Sequence, residues 1–308
     1  MIGWHEDRNN VDGLRANEAR LGMRFALVRH YHQWALPGRL LDGLVAEGRL
    51  VVSSHKAPDP ARGGWAAVAS GAEDRMIVAL ADKYRSYGRE IVFVFHHEPH
   101  DEAADVKGGT YGKAADFVAA WRRIHGIFVK RGAHHSVGGN VLFGYSAVDT
   151  WALRRAPGGS PGSGDPLYPG DDVVDVLAHD GYDWGSCWRK PSRPFAAIWR
   201  PLVALAAAHQ KPLVAGEFGA APGLRNQWFR DAARWLRDDS LARRWMWGFA
   251  YFHTYMDRCH WDFLNQGDDG RSGWDDGFAR DPYFTDTPFS LRQRPTARPP
   301  AERALTSS

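Results

Sequence analysis

The amino-acid sequence predicts an α/β protein built as one (β/α)₈ barrel, the TIM-barrel architecture, and three observations lead there. Eight short apolar segments of strand character alternate with helical segments, which implies parallel strands joined by crossovers. Polar and ionisable residues follow those strands repeatedly, as expected where parallel strands end together on one face. A chain of 308 residues with 44% hydrophobic and 24% charged residues also has the material for a barrel of this size.

The elements follow in order. Ile2 to His5 reads as a short first strand, and Arg24 to Tyr31 as a second, ending in His32-Gln-Trp34. Arg49 to Lys56 is the third. Between Gly71 and Tyr87, Met76, Ile77, Leu80 and Tyr84 recur at helical spacing, with Gly88 as a stop. Arg89-Glu-Ile-Val-Phe-Val-Phe-His-His-Glu-Pro-His-Asp101 starts as an uncharged β-branched and aromatic run and ends in ionisable side chains, as a strand buried on both faces would. A helix over 113–130 places Phe117, Trp121, Ile124 and Phe128 on one stripe. Asn140 to Tyr145 and Val173 to His179 are strands, separated by a Pro-, Gly- and Ser-rich surface loop over 156–165. Phe195 to His209 is helical, Lys211-Pro-Leu-Val-Ala-Gly-Glu-Phe-Gly219 carries the seventh strand, Asn226 to Leu236 is a helix, and Trp245 to His253 is the last strand. Residues 1–291 are thus expected to form the barrel, and the proline-bearing segment 292–308 a disordered tail.

Composition excludes several classes. With 39 basic and 36 acidic residues the net charge is +3, without the basic stripe that nucleic acid requires. No run of 18 apolar residues is present, so a membrane span is not expected. The N-terminal segment has neither the basic nor the apolar region of a secretory signal, so a cytoplasmic protein or one whose leader has been removed is expected. Two cysteines, Cys187 and Cys259, are too few for a disulfide framework; free thiols and a single bridge between loops both fit.

The chemistry concentrates in two glutamates. Glu98 follows the fourth strand and Glu217 the seventh, so the two carboxyl groups would approach across the mouth of a barrel. Carboxyl groups about 5 Å apart can divide the work at a sugar's anomeric carbon, one attacking and one protonating the departing oxygen. The competing reading pairs each glutamate with a nearby arginine.

Phe95-His-His-Glu-Pro99, Tyr168-Pro-Gly-Asp-Asp-Val-Val-Asp175, His179-Asp-Gly-Tyr-Asp-Trp184 and Lys211 to Gly219, in that order, resemble glycoside hydrolase family 26. The resemblance covers roughly Arg24 to Trp261. It implies a retaining β-glycanase with Glu98 as general acid/base and Glu217 as nucleophile. His97 would contact substrate or nucleophile, and Tyr182 would hydrogen-bond the nucleophile. It also implies secretion. Family mannanases continue after the acid with Met-Asn-Gly and paired tryptophans, whereas this chain reads Pro99-His-Asp-Glu-Ala-Ala-Asp-Val-Lys-Gly-Gly109. The expected substrate is therefore a β-linked poly- or oligosaccharide, whether mannan, glucan or xylan.

Fourteen tryptophans stand out. Trp34, His55, Trp65, Trp151, Trp184, Trp188, His253 and Trp261 lie near strand ends and are candidates for lining a sugar groove by stacking or hydrogen bonding. The cluster of His96, His97 and His100 around Glu98, with His30, His32 and His55 on neighbouring strands, raises a metal-dependent barrel hydrolase as an alternative. Pro99 breaks the helical spacing that metal-binding histidines would need, and the zincin pattern is absent. A carbohydrate-binding barrel without catalysis is the other alternative. The expectation is no metal and no cofactor, a monomer, and no nucleic-acid or membrane partner.

Overall fold

The computed structural model describes residues 1–6, 11–256, 258–284 and 290–292. The strands are β1 (Ile2–Glu6), β2 (Leu27–His32), β3 (Leu50–His55), β4 (Ile91–Phe95), β5 (Val141–Tyr145), β6 (Val176–Leu177), β7 (Asp180–Asp183), β8 (Leu213–Ala220) and β9 (Met246–His253). All pair in parallel in the order β6-β5-β4-β3-β2-β1-β9-β8-β7, and β6 also pairs with β8. The short β6 and β7 together serve as the sixth strand, so the sheet closes as an eight-stranded (β/α)₈ barrel. The strand expected over 173–179 is therefore split. Its backbone pairing nonetheless runs on, with the Ala178 amide donating to Tyr145 and Gly216 to His179.

The helices cover the outside: α1 (Val11–Leu21), α2 (Arg39–Ala46), α3 (Gly64–Ser70), α4 (Asp74–Ser86), α5 (Ala114–Lys130), α6 (Asp149–Ala152), α7 (Phe195–His209), α8 (Arg225–Asp238), α9 (Ser240–Trp245) and α10 (Arg271–Trp274). The stripe Phe117, Trp121, Ile124 and Phe128 of α5 is wholly buried, as its spacing predicts.

Strand alternation divides the apolar residues into two cores. Side chains such as Leu27, Leu50, Val52, Val92, Val94 and Val214 form one packed group that fills the barrel. Their neighbours Val51, Ile91, Phe93, Phe95, Val141 and Phe143 pack with the helices in the other. The period of two thus decides, residue by residue, what can reach the mouth. Continuing the inward parity of Leu27 leads to Arg29 and Tyr31, and that of Val52 to Ser54.

At the opposite end, Glu90 accepts the Leu291 amide at 2.6 Å and pairs with Arg292 at 3.2 Å. Arg292, expected to open the disordered tail, is therefore docked on the barrel, and 293–308 lie outside the described residues. Among the described residues no helix is long and apolar enough to cross a membrane.

Cys187 and Cys259 are bridged, with their Cα atoms 5.3 Å apart and a sequence separation of 72. The bridge ties the turn after β7 to the small hairpin β10 (Tyr255–Met256) and β11 (Cys259–His260) after β9. Replacing both cysteines by serine should lower unfolding stability by about 2–4 kcal/mol. Equilibrium denaturation in urea measures this, and unchanged stability would mean that the two loops hold together without the bridge.

Candidate active site

The strand ends converge on Glu217. Its Oε1 accepts a hydrogen bond from the Tyr31 hydroxyl of β2, and its Oε2 accepts one from the Tyr182 hydroxyl of β7. Burial, reinforced by the charge of Glu217, raises both phenols well above their ordinary range, so both remain donors. Both oxygens of Glu217 are thus met by hydroxyl donors, an arrangement suited to a carboxylate.

Below it lies Arg29, 1% exposed. Burial alone would lower its affinity for a proton, but Tyr31, Asp180 and Glu217 outweigh that and raise it. Ser146 connects the guanidinium to Asp180: Arg29 Nη2 lies 3.5 Å from Ser146 Oγ, which donates to Asp180 Oδ2 at 2.7 Å. Burial, then the charge of Glu217, pushes the Asp180 carboxyl well above its ordinary range, against the pull of Arg29. A Cβ on Gly216 would stand 2.8 Å from Asp180 Oδ1 and 3.3 Å from Arg29 Nη1, so only glycine leaves room for this pair beneath Glu217.

Glu98 sits on a constrained backbone. His96 and Glu98 both adopt positive φ, 49° and 48°, a conformation that costs non-glycine residues about 1–3 kcal/mol each. Hydrogen bonds hold the distortion: the His96 amide donates to His55 at 2.7 Å and the Glu98 amide to Ser146 at 3.1 Å. Trp65 Nε1 donates to His96 Nδ1 at 2.8 Å, fixing that ring on the helix side. The Glu98 carboxyl is pushed up to about 8, first by burial and then by the charges of Glu217 and Asp101. It is therefore an acid at neutral pH, and it feels Glu217 directly.

His97 contacts Ser54 Oγ through Nδ1 at 3.2 Å and meets the Tyr31 ring edge to face at 5.0 Å. Burial, then the charge of Arg29, lowers its affinity for a proton far below the ordinary imidazole value, so the ring is neutral. His5 of β1 packs edge to face on Tyr31 at 4.6 Å and stacks on Phe252 of β9 at 5.0 Å, completing the ring of side chains.

Several expected groove residues are elsewhere. His55, completely buried, bonds the Tyr84 hydroxyl at 2.6 Å and stacks on Phe93, because its parity points it at α4. His253, 2% exposed, stacks on Trp4 for the same reason. Trp65 is buried against α5 through Phe117, and Trp34 donates to Glu73 at 2.8 Å under Phe95. Trp151 is sandwiched between His100 at 4.8 Å and the Arg154 guanidinium at 4.7 Å, so neither face is open for a sugar. Trp261 is fully buried but packs on Tyr182 at 4.9 Å, supporting the site from behind. Trp184 lies 5.3 Å from Tyr182, and Trp188 is 46% exposed. Trp184 thus reaches Tyr182, the partner of Glu217, while Trp188, next to the disulfide, lies 5.8 Å from Trp184 with the Arg258 guanidinium over its ring at 5.0 Å.

Of the strand-end histidines, His30 Nδ1 and His32 Nε2 lie 3.0 Å apart and His32 stacks on His55 at 4.5 Å, but among the described residues no three of them present ligand atoms to one point. His96 turns to Trp65, His97 to Ser54, and His100 Nε2 to Asp165 Oδ1 at 2.8 Å. Sequence reasoning missed Arg29, Tyr31, Ser54, Ser146 and Asp180. The usable signal was parity, since each lies an even number of residues from an inward apolar residue or from Tyr182.

The fold recurs in solved structures. The catalytic domain of an endo-β-1,4-mannanase of glycoside hydrolase family 26 from Bacillus sp. JAMB-750 superposes with a TM-score of 0.59 at 14% identity, over 89% of this chain and 84% of that one. The family 26 domain of an endo-β-mannanase/endo-β-glucanase from Prevotella bryantii gives 0.56 at 13%, over 90% and 87%. The mannanase BCman of Bacillus subtilis gives 0.57 at 13%, over 90% and 85%. The chain therefore has the barrel fold of family 26 structures. Among curated proteins, endoglucanase H of Acetivibrio thermocellus is 26% identical over 177 residues, which span 55% of this chain and 18% of that protein. No family model matches the chain.

The raised Glu98 carboxyl ties stability to pH. Its proton is held more tightly in the folded chain than at the ordinary value of 4.5, so the stabilisation is complete below that pH and is lost as pH rises through about 8. Glu98→Gln, which cannot ionise, should therefore gain on the wild type by up to a few kcal/mol across that window. Paired urea melts at pH 5 and pH 9 measure the gap; a gap independent of pH would show that Glu98 titrates normally.

Proposed function

We propose that the protein is a retaining glycoside hydrolase that cleaves a β-linked polysaccharide by double displacement. The observation that carries this reading is the asymmetry of two interacting carboxyl groups: Glu98 holds its proton to about pH 8, while Glu217 accepts hydrogen bonds on both oxygens. Unequal neighbours of this kind are what acid and nucleophile require. The printed activities of the structural relatives, endo-β-mannanase and endo-β-glucanase, and of the endoglucanase support the same substrate class.

In the first step a Glu217 oxygen attacks the anomeric carbon as the glycosidic C–O bond breaks, and Glu98 gives its proton to the departing oxygen. The product is a glycosyl ester on Glu217. In the second step Glu98, now a carboxylate, takes a proton from water, the resulting hydroxide attacks the same carbon, and Glu217 leaves. Two inversions return a sugar of the original configuration, and Glu98 regains its proton. Tyr31 and Tyr182 hold the two Glu217 oxygens apart and orient them. One of these hydrogen bonds must weaken as its oxygen becomes the ester oxygen. Neutral His97, beside Tyr31, offers a hydrogen-bonding edge for a sugar hydroxyl, and Trp184 and Trp188 offer faces for stacking.

On a panel of soluble mannan, mixed-linkage glucan and xylan, the wild type should release oligosaccharides from at least one polymer. The newly formed reducing end should be β at early times by NMR. Glu217→Ala should lose at least about 1,000-fold in kcat. If wild type and Glu217→Ala are equally inert while both bind sugar, the barrel binds carbohydrate without cleaving it.

The free enzyme must carry a protonated Glu98, so kcat/KM should fall above about pH 8. In Glu98→Gln the rate should drop about 100- to 10,000-fold on substrates with poor leaving groups, and that alkaline limb should disappear. An unchanged limb in the variant would assign the proton to another group.

A further inference from the structure

The end of the barrel away from Glu98 and Glu217 holds a second group of ionisable side chains. His134 and His135 lie in the turn between α5 and β5, and Asp175 immediately precedes β6. Both segments enter strands, whereas Glu98 and Glu217 lie at the other end. His134 Nε2 is 2.9 Å from Asp175 Oδ2, and His135 Nε2 is 2.7 Å from Asp175 Oδ1. The ligand-capable atoms of the three residues all lie within 4.8 Å of one another, the one such group among the described residues.

We propose that His134, His135 and Asp175 form a binding site for a divalent transition-metal cation of the zinc class. Two imidazoles and one carboxylate make an N₂O donor set, which suits zinc and its neighbours and not the oxygen-seeking magnesium or calcium. Ligands about 2 Å from a tetrahedral ion are about 3.3 Å from one another. The two histidine–carboxylate contacts need to open by about half an ångström, the wider separations of the group, up to 4.8 Å, need to close, and a solvent water supplies the fourth position. Ligation requires each Nε2 to be free of its proton. In the absence of an ion His134 Nδ1 accepts the Ser136 amide at 3.3 Å, which leaves the proton on Nε2 facing Asp175; on ligation that proton moves to Nδ1, where Ser136 Oγ, 2.8 Å away, can accept it.

The frame is rigid on both sides. Asp175 Oδ2 also accepts the Phe143 amide at 2.7 Å, and the Asp175 amide donates to the Phe143 carbonyl at 2.9 Å, so the carboxylate cannot swing away. The His134 ring packs against His125 of α5 at 4.5 Å and Phe143 at 5.7 Å. The side chains of His135 and Asp175 are 29% and 16% exposed, which opens the group to an ion from solvent, while His134 is 4% exposed and anchors it. A bound ion would join the turn before β5 to the start of β6, where the sixth strand is weakest. The competing account is a clamp in which both histidines only hydrogen-bond the aspartate.

Chelator-washed full-length protein is dialysed against zinc alone, and bound metal is counted by elemental analysis, with calcium and magnesium in parallel. The expected result is one zinc per chain, no calcium or magnesium, and a thermal midpoint raised by zinc. His135→Ala should lose both the zinc and the thermal response while its circular dichroism matches the wild type. Asp175→Asn should do the same if it folds, and His135→Ala decides the matter alone if it does not. No zinc above trace, uptake unchanged in His135→Ala, or uptake of calcium in its place would each overturn the proposal and leave the hydrogen-bonded clamp.

Discussion

One buried positive charge governs the mouth of this barrel. Arg29 is the guanidinium that acts on all three carboxyl groups, Glu98, Asp180 and Glu217. A cation in that position can balance one anion without leaving net charge in a low-dielectric interior, and a second unbalanced carboxylate there would be costly. The tyrosine pair decides which carboxyl group is the anion. Tyr31 and Tyr182 donate to both oxygens of Glu217, whereas Asp180 receives one hydroxyl hydrogen bond from Ser146, and burial pushes Glu98 and Asp180 towards their neutral forms. Which carboxyl group is favoured as the charged one is thus set by competition for one guanidinium and two phenols, not by the identity of the residues.

That competition depends on strand alternation. Leu27, Arg29 and Tyr31 are one inward row, rising from apolar filling to buried charge to hydrogen-bond donor within five residues of β2. On β8 a register shift between Ala215 and Phe218 interrupts the alternation, so that two consecutive residues serve the mouth: glycine where Arg29 and Asp180 need space, then the carboxylate, before Phe218 packs against Trp228 and Tyr251 in the outer core. A register slip of one residue on either strand would exchange the site for core, which is why the apolar rows beneath are as much a part of the site as the glutamates.

The eight-strand alternation, the helical stripe of α5 and the strand-end placement of Glu98 and Glu217 were legible in the sequence because each is a local pattern. The groove residues were read less well, and His55 and His253 show why. Both stand at strand ends, the feature used to select them, but both have the outward parity of Phe93 and Trp4 and are buried between strand and helix. Parity would have excluded them and admitted Arg29 and Tyr31. Trp65, Trp34 and Trp151 failed for another reason. Their indole faces or N–H groups are taken by His96, Glu73 and His100, partners distant in sequence that no local pattern reveals, with Arg154, three residues on, also over Trp151. The positive φ at His96 and Glu98 was equally invisible, since neither residue is a glycine that would have announced it.

The backbone distortion at the end of β4 decides which histidine faces the mouth. Continued from the inward Val92 and Val94, a regular strand would turn His96, His97 and Glu98 in, out, in. Left-handed residues at His96 and Glu98 break the alternation, sending His96 outward to Trp65 and His97 to Ser54 and Tyr31, with Glu98 still in range of the Glu217 charge. The strain is held by the amide hydrogen bonds to His55 and Ser146 and by the His96 ring, which is locked under Trp65. The His55 carbonyl and the Trp65 indole therefore act on the site without touching a sugar: they hold the backbone path on which His97 and Glu98 sit. Burial and the charge of Glu217 then raise the proton affinity of Glu98.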